Sequence, residues 1–172
     1  MENKIEKLKE SEMQKLISEL GSDDGLIRQN ARHKLAKMGK DSLDVLAELL
    51  IHPKHVYRWE AAKILEEIGD PISIPLLLQA LEDDKVDIRW IAAKGLIKIG
   101  TVSIVPLLKA LEEKSDSVFL LEGAHHVFFE LREMNKLPTG FQVNKLLSSL
   151  KNIGWKESIK PLVYELLAKL KN

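Results

Sequence analysis

The chain has 172 residues, with 26 Lys+Arg against 26 Asp+Glu and a formal net charge of +0. Its 45% hydrophobic and 30% charged content is that of one globular domain, which at this length buries about 70% of its unfolded surface. The absence of cysteine excludes a disulfide framework, a thiolate metal site and cysteine-based catalysis, and the neutral balance argues against nucleic-acid binding over the whole surface.

At the start, MENKIEKLKESEMQKL is too charged for the apolar part of a signal peptide. No apolar run approaches the ~20 residues of a membrane span. A cytoplasmic protein without a membrane partner is therefore expected. Residues 3–20 read as an opening helix with Ile5, Leu8, Leu16, Ile17 and Leu20 on its apolar side.

Three segments then align: IRQNARHKLAKMG (27–39), YRWEAAKILEEIG (57–69) and IRWIAAKGLIKIG (88–100). Arg28, Arg58 and Arg89 each precede a glycine by eleven positions, at Gly39, Gly69 and Gly100. With the arginine as position zero, apolar residues fall at −1, +3, +7 and +10, the steps of one helical face rather than of a strand. The glycine can take the left-handed conformation that ends a helix, and Asp41 and Asp70 follow as candidate caps. After the glycine, KDSLDVLAELL (40–50), DPISIPLLLQAL (70–81) and TVSIVPLLKAL (101–111) read as a second helix in each unit.

A fourth first helix follows in DSVFLLEGAHHVFFELREMN (116–135), with Leu120 at the arginine position. Pro138 and Gly140 break it, and FQVNKLLSSLKN (141–152) reads as its second helix. The preferred reading of WKESIKPLVYELLAKL (155–170) is a single closing helix. A second reading stays open: KNIG…SIKPLV echoes the junction inside a further repeat, which would leave the fourth unit without a second helix.

The pattern carried by YRWEAAKILEEIGDPISIPLLLQAL and IRWIAAKGLIKIGTVSIVPLLKAL resembles the HEAT-like repeat of the phycobilisome-lyase type, over most of residues 23–135. The resemblance implies an all-α fold, an α-α superhelix of about ten helices in a single domain, 1–172. Its units are four two-helix repeats at 23–52, 54–83, 84–113 and 115–152, between capping helices at 1–21 and 155–172. For function it implies a stacked surface that binds something, usually another protein. Two enzymes share the resemblance. Deoxyhypusine hydroxylase holds iron with His-Glu pairs, but the matching dipeptides here are Gln29-Asn30, Trp59-Glu60, Trp90-Ile91 and Leu121-Glu122, and no His-Glu pair exists in the chain. A bilin lyase needs a pigment pocket, and no motif for one is evident.

Chemistry-bearing residues are few. Of the five histidines, His125 and His126 point about 100° apart on a helix and cannot share a metal from one face. Glu122 and Glu130 flank His126 at four residues on either side, an arrangement that serves either a metal or ordinary helix-surface pairing. His52 and His55 fall in a turn. No phosphate loop, nucleophile elbow or metal-loop spacing is present, so neither a cofactor nor a metal nor catalysis is expected. Arg28, Arg58 and Arg89 read better as bridges to acids or carbonyls of the neighbouring unit than as an anion ladder.

Positions +1 and +5 lie away from the apolar face. They hold Trp59 and Trp90, with Lys63 and Lys94, and with His125 at +5 of the fourth unit. A row of indoles flanked by lysines is the composition of a protein-binding surface, and it would equally stack on bases. Alternatively each indole lies sideways into the groove between adjacent first helices. Charge is uneven: residues 1–24 carry a balance of −3 and residues 136–172 one of +5. The leading expectation is a non-catalytic scaffold binding a protein partner, ahead of a nucleic-acid-binding module and of a lyase-type or metal-dependent enzyme.

Overall fold

A computed structural model describes residues 2–151 and 156–170, with side chains from residue 10 to 151 and from 159 to 170. Ile5 and Leu8, expected on the apolar side of the first helix, and the start of the closing segment at 155 lie outside the described side chains. Among the described residues there are ten α-helices and no strand. They are α1 (Glu2–Leu20), α2 (Gly25–Met38), α3 (Leu43–Leu50), α4 (His55–Ile68), α5 (Ile74–Ala80), α6 (Val86–Ile99), α7 (Ile104–Glu113), α8 (Val118–Glu133), α9 (Val143–Lys151) and α10 (Lys156–Lys169).

The repeat glycines end α2, α4 and α6 at φ +55°, +59° and +82°, values that a side chain with a Cβ resists. A 3-10 turn follows each of them. Asp70 caps its turn by accepting from the Ile72 N–H at 2.9 Å. Asp41, expected to do the same, makes no such bond in the described structure; there the Ser42 hydroxyl donates to the Gly39 carbonyl at 2.8 Å, as Ser103 does to Gly100 at 2.7 Å. The most apolar stretch, Val86–Glu113, is divided at Gly100 into α6 and α7 and is mostly buried.

Two rows of helices enclose the core. First helices pack in sequence, α2 on α4, α4 on α6 and α6 on α8, while α3, α5 and α7 form the second row. Each second helix also packs on the first helix of the next unit: α3 on α4, α5 on α6 and α7 on α8. The small residues at +3 allow this. Ala31, Ala61 and Ala92 are fully buried, and at the fourth such position, Gly123, a Cβ would come within 2.7 Å of Leu81 Cδ2. Position −1 is less uniform than the sequence suggests. Ile88 is sealed, but Ile27 and Phe119 are exposed, the latter with the Arg89 guanidinium 4.1 Å above its ring.

The ends of the stack follow the same rules. Helix α1 packs on α2 as a second helix packs on the next first helix. Leu16 and Leu20 stand twelve and eight residues before Arg28, as Leu46 and Leu50 do before Arg58, and Leu77 and Leu81 before Arg89; all six are buried. At the other end, α9 packs on α8, and α10 packs on α7 and α9. That placement puts α10 in the row of second helices. Its buried Ile159, Leu162, Val163 and Leu166 match Ile104, Leu107, Leu108 and Leu111 of α7 position for position. These contacts match the second reading of the closing segment, in which α9 and α10 pair and an irregular segment after α8 stands where a second helix would. Glu165 ties this last pair together, accepting from Gln142 Nε2 at 2.7 Å and Lys169 Nζ at 2.8 Å, with Lys145 Nζ at 3.6 Å. Those donors, Lys169 foremost, pull its carboxyl down to about 2.

The repeat arginines act as bridges. The Nη1 of Arg28, Arg58 and Arg89 donates to the carbonyls six and five residues earlier, Ser22 and Asp23, His52 and Pro53, and Asp83 and Asp84. The rest of each guanidinium reaches the next unit. Arg58 forks onto Asp83 at 2.7 and 3.2 Å and also holds Asp84. Arg28 lies 3.4 Å from Glu60, and Arg89 3.9 Å from Glu122. Glu60 is 1% exposed and is also gripped by Arg32 at 2.7 and 3.3 Å. Truncating one member of a buried pair leaves the other uncompensated. Both arginines keep some access to water, so Glu60→Ala should cost about 2–3 kcal/mol, less than the loss of one partner from a fully buried pair. Urea unfolding checks this: the midpoint falls with an unchanged slope for Glu60→Ala, and stays in place for Asp84→Ala, whose carboxylate is exposed.

Candidate functional site

The two tryptophans share a sequence column and not an environment. Trp59, on α4, is half-buried and packs on the core. The Arg32 guanidinium, pinned by Glu60, sits 5.2 Å from the centre of its ring. One unit later the position equivalent to Arg32 is Ala62, which is buried and offers nothing to lean on. Trp90, on α6, is 54% exposed and instead stacks on His126 of α8, with ring centroids 4.3 Å apart and planes 19° from parallel. The position equivalent to His126 in the preceding unit is Gly95, where an added Cβ would come within 2.7 Å of Leu77 Cδ2 on α5.

The lysines converge. Lys63 bonds to Glu66, and Lys94 of the next unit lies 3.7 Å from the same carboxylate. Lys94 is the more exposed of the two. His125 turns inward instead of joining the row. Its Nε2 is sealed from solvent without a hydrogen-bond partner, and its ring lies nearly parallel to Phe129 at 6.4 Å. Burial, and then the charges of Lys151, His126 and Arg132, lower its pKa below the ordinary value of about 6.5. Of the five residues singled out by sequence, Trp90 and Lys94 thus share an open groove, Lys63 is tied to its wall, and Trp59 and His125 lie apart from it.

This groove runs between α6 and α8 and has a volume of about 510 Å³. Trp90, Lys94, Ile97 and Lys98 line one side, His126, Glu130 and Met134 the other, with Glu66 and Lys136 at its margins. Sequence reasoning passed over His126 as a binding residue, and with it Met134, Lys98 and Lys136. A signal existed for His126 alone. The +1 and +5 side chains of one unit can meet +6 and +9 of the next, as Trp90 meets His126 and His33 meets Glu67. Lys98 is anchored at the other end of α6, donating to the Glu66 and Glu67 carbonyls at 3.0 and 2.9 Å.

The other histidines link first helices in pairs. His33 Nδ1 donates to Glu67 at 2.6 Å across α2 and α4, and His55 Nε2 to Asp87 at 2.9 Å across α4 and α6. Among the described residues no three His, Asp or Glu side chains gather as metal ligands.

The HEAT-repeat family model matches residues 13–96 and 52–124 of the chain. No curated protein matches it in sequence. Among solved structures, the complex of CpcE and CpcF of phycocyanin lyase from Nostoc sp. PCC7120 is similar, with 19% identity over 90% of this chain and 68% of that one and a TM-score of 0.42.

The inward His125 makes folding stability depend on pH. The unfolded chain takes up a proton at an ordinary histidine pKa, whereas the folded state resists it. Stability is therefore full above about pH 6.5 and falls as pH drops through that value toward the lowered folded pKa. Melting temperatures at pH 7.5 and 5.0 should differ less in His125→Phe than in the parent chain.

Proposed function

Because this chain belongs to the HEAT-repeat family, we propose that it is a non-catalytic binding module that holds a partner protein on the surface of its first-helix row, at the groove between α6 and α8. The observation that carries this reading is Trp90. A large indole left 54% exposed near the middle of the stack is held in one orientation by the His126 ring. Exposed aromatics of fixed orientation are the side chains that supply most of the energy at protein interfaces.

The surrounding construction supports the same reading. The backbone that carries Trp90 is fixed at its start by the Arg89 bonds to Asp83 and Asp84, and at its end by Lys98. Little conformational freedom is left to lose when a partner docks, and that loss is a main cost of association. The histidines are each engaged with one carboxylate or one ring, an arrangement that serves packing between units more than acid–base chemistry.

Affinity capture from extract of the source cells tests the module. The parent chain, Trp90→Ala and Trp59→Ala serve as baits, with circular dichroism confirming that all three are folded. Trp90→Ala should lose a protein that the parent and Trp59→Ala retain. Equal capture by all three would move the binding surface elsewhere on the stack, and a Trp90→Ala chain that has lost helicity would make the indole part of the core.

A further inference from the structure

We infer that the α6–α8 groove takes an extended acidic segment of its partner, with an aromatic side chain laid on the Trp90–His126 stack and a carboxylate about three residues away reaching Lys98 and Lys136. The inference rests on the binding-module reading and adds the chemistry of the occupant.

The groove has two unlike ends. One is the aromatic platform of Trp90 and His126; the other holds Lys98 and Lys136 beside Ile97 and Met134. Along α6 the eight residues from Trp90 to Lys98 span about 12 Å at 1.5 Å per residue. Along α8 His126 and Met134 are separated by the same count. An extended chain advances about 3.4 Å per residue, so about three and a half residues bridge the ends. A ring at one end and a carboxylate three or four positions away would meet both features at once.

Charge selects the sign at the lysine end. Lys136 Nζ has no carboxylate within ion-pair distance among the described residues, although its backbone is fixed. Its N–H donates to the Leu131 carbonyl at 2.8 Å, and its own carbonyl accepts from the Thr101 hydroxyl at 2.9 Å. Asn135, at φ +54°, makes the turn that delivers it there. Lys98 uses two of its three donors on the Glu66 and Glu67 carbonyls and keeps one in hand. Lys94 shares Glu66 with Lys63, so that carboxylate is already neutralised. An anionic group at this end meets the Lys136 ammonium, which no acid of the described chain satisfies, with Lys98 lining the same groove.

The same map disfavours a nucleic acid. Glu130 stands in the groove between the platform and the lysines with no ion-pair partner among the described residues. A phosphate chain carries charge at every step and would pass this carboxylate. A peptide can put an uncharged residue there.

The test is selection of random peptides, each longer than the groove, on the folded chain, with counter-selection on Trp90→Ala and affinities then measured by fluorescence anisotropy. The expected winners carry an aromatic residue and an Asp or Glu three or four positions apart. They should bind Lys136→Glu about tenfold more weakly, and exchange of their acidic residue for lysine should restore binding to Lys136→Glu. Winners without an acidic residue, or affinity indifferent to Lys136→Glu, would overturn the inference while leaving the binding module in place. No peptide that separates the parent from Trp90→Ala would overturn both. A single-stranded oligonucleotide that displaces the winners from the groove at physiological salt would overturn the acidic-peptide assignment in favour of nucleic acid. Lys136 lies on an exposed turn, so Lys136→Glu remains informative even if Trp90→Ala fails to fold.

Discussion

The guanidinium near the start of α2, α4 and α6 sets the geometry on which the remaining contacts depend. In each of these three units one nitrogen fastens the preceding turn by two of its carbonyls while the others reach an acid of the next unit. A single side chain thus fixes both the entry angle of its own helix and the distance to its neighbour. Asp83 shows how the units are chained, since its carboxylate holds Arg58 and its carbonyl holds Arg89. The acid's position varies without loss of the bridge. It stands two residues past the arginine position at Glu60 and Glu122; where that position is Ile91, Asp83 and Asp84 serve from the turn. The Asp83 hydrogen bond is also the main reason that the Arg58 pKa is raised.

Where the arginine is missing, the regular alternation of helices stops. Leu120 takes its place, buried, and the turn before α8 is capped by the Ser117 hydroxyl oxygen accepting from the Leu120 N–H. The next second helix is absent from its row, and the chain returns through residues 134–142 to α9. Other contacts then join the last pair to the stack: the rings of Phe128 and Phe141, 5.8 Å apart, and Glu165 between α9 and α10. A regular array needs its bridge at every step, and this chain ends its bridges one unit before it ends its helices.

Most of the architecture was legible because it depends on position within a repeat. Ala31, Ala61 and Ala92 are buried for the same reason, and the glycines turn at the same place. What escaped was whatever depends on a neighbour in another unit. Trp59 and Trp90 occupy one column, yet Arg32 lies over the first and His126 stacks on the second, so one indole is half-covered and the other left more open. Periodicity gives a side chain its direction and leaves its companions unspecified. The place of α10 was readable from Ile159, Leu162, Val163 and Leu166, which repeat the pattern of α7. The sequence alone left two readings of that segment open, because only contacts with other units tell a closing helix from a second helix.

The position of the groove follows from these same irregularities. A perfectly regular stack would repeat Gly95 or Ile64 at the site of His126, and Trp90 would have no ring to rest against. The step that puts His126 there occurs in the unit that loses its arginine. That helix, α8, continues to Glu133 and ends in a left-handed turn at Asn135, which brings Lys136 to the margin of the groove. The aromatic platform and the unpaired ammonium therefore have one origin, the departure of the fourth unit from the repeat. The regular units before it supply the rigid frame from which that departure projects.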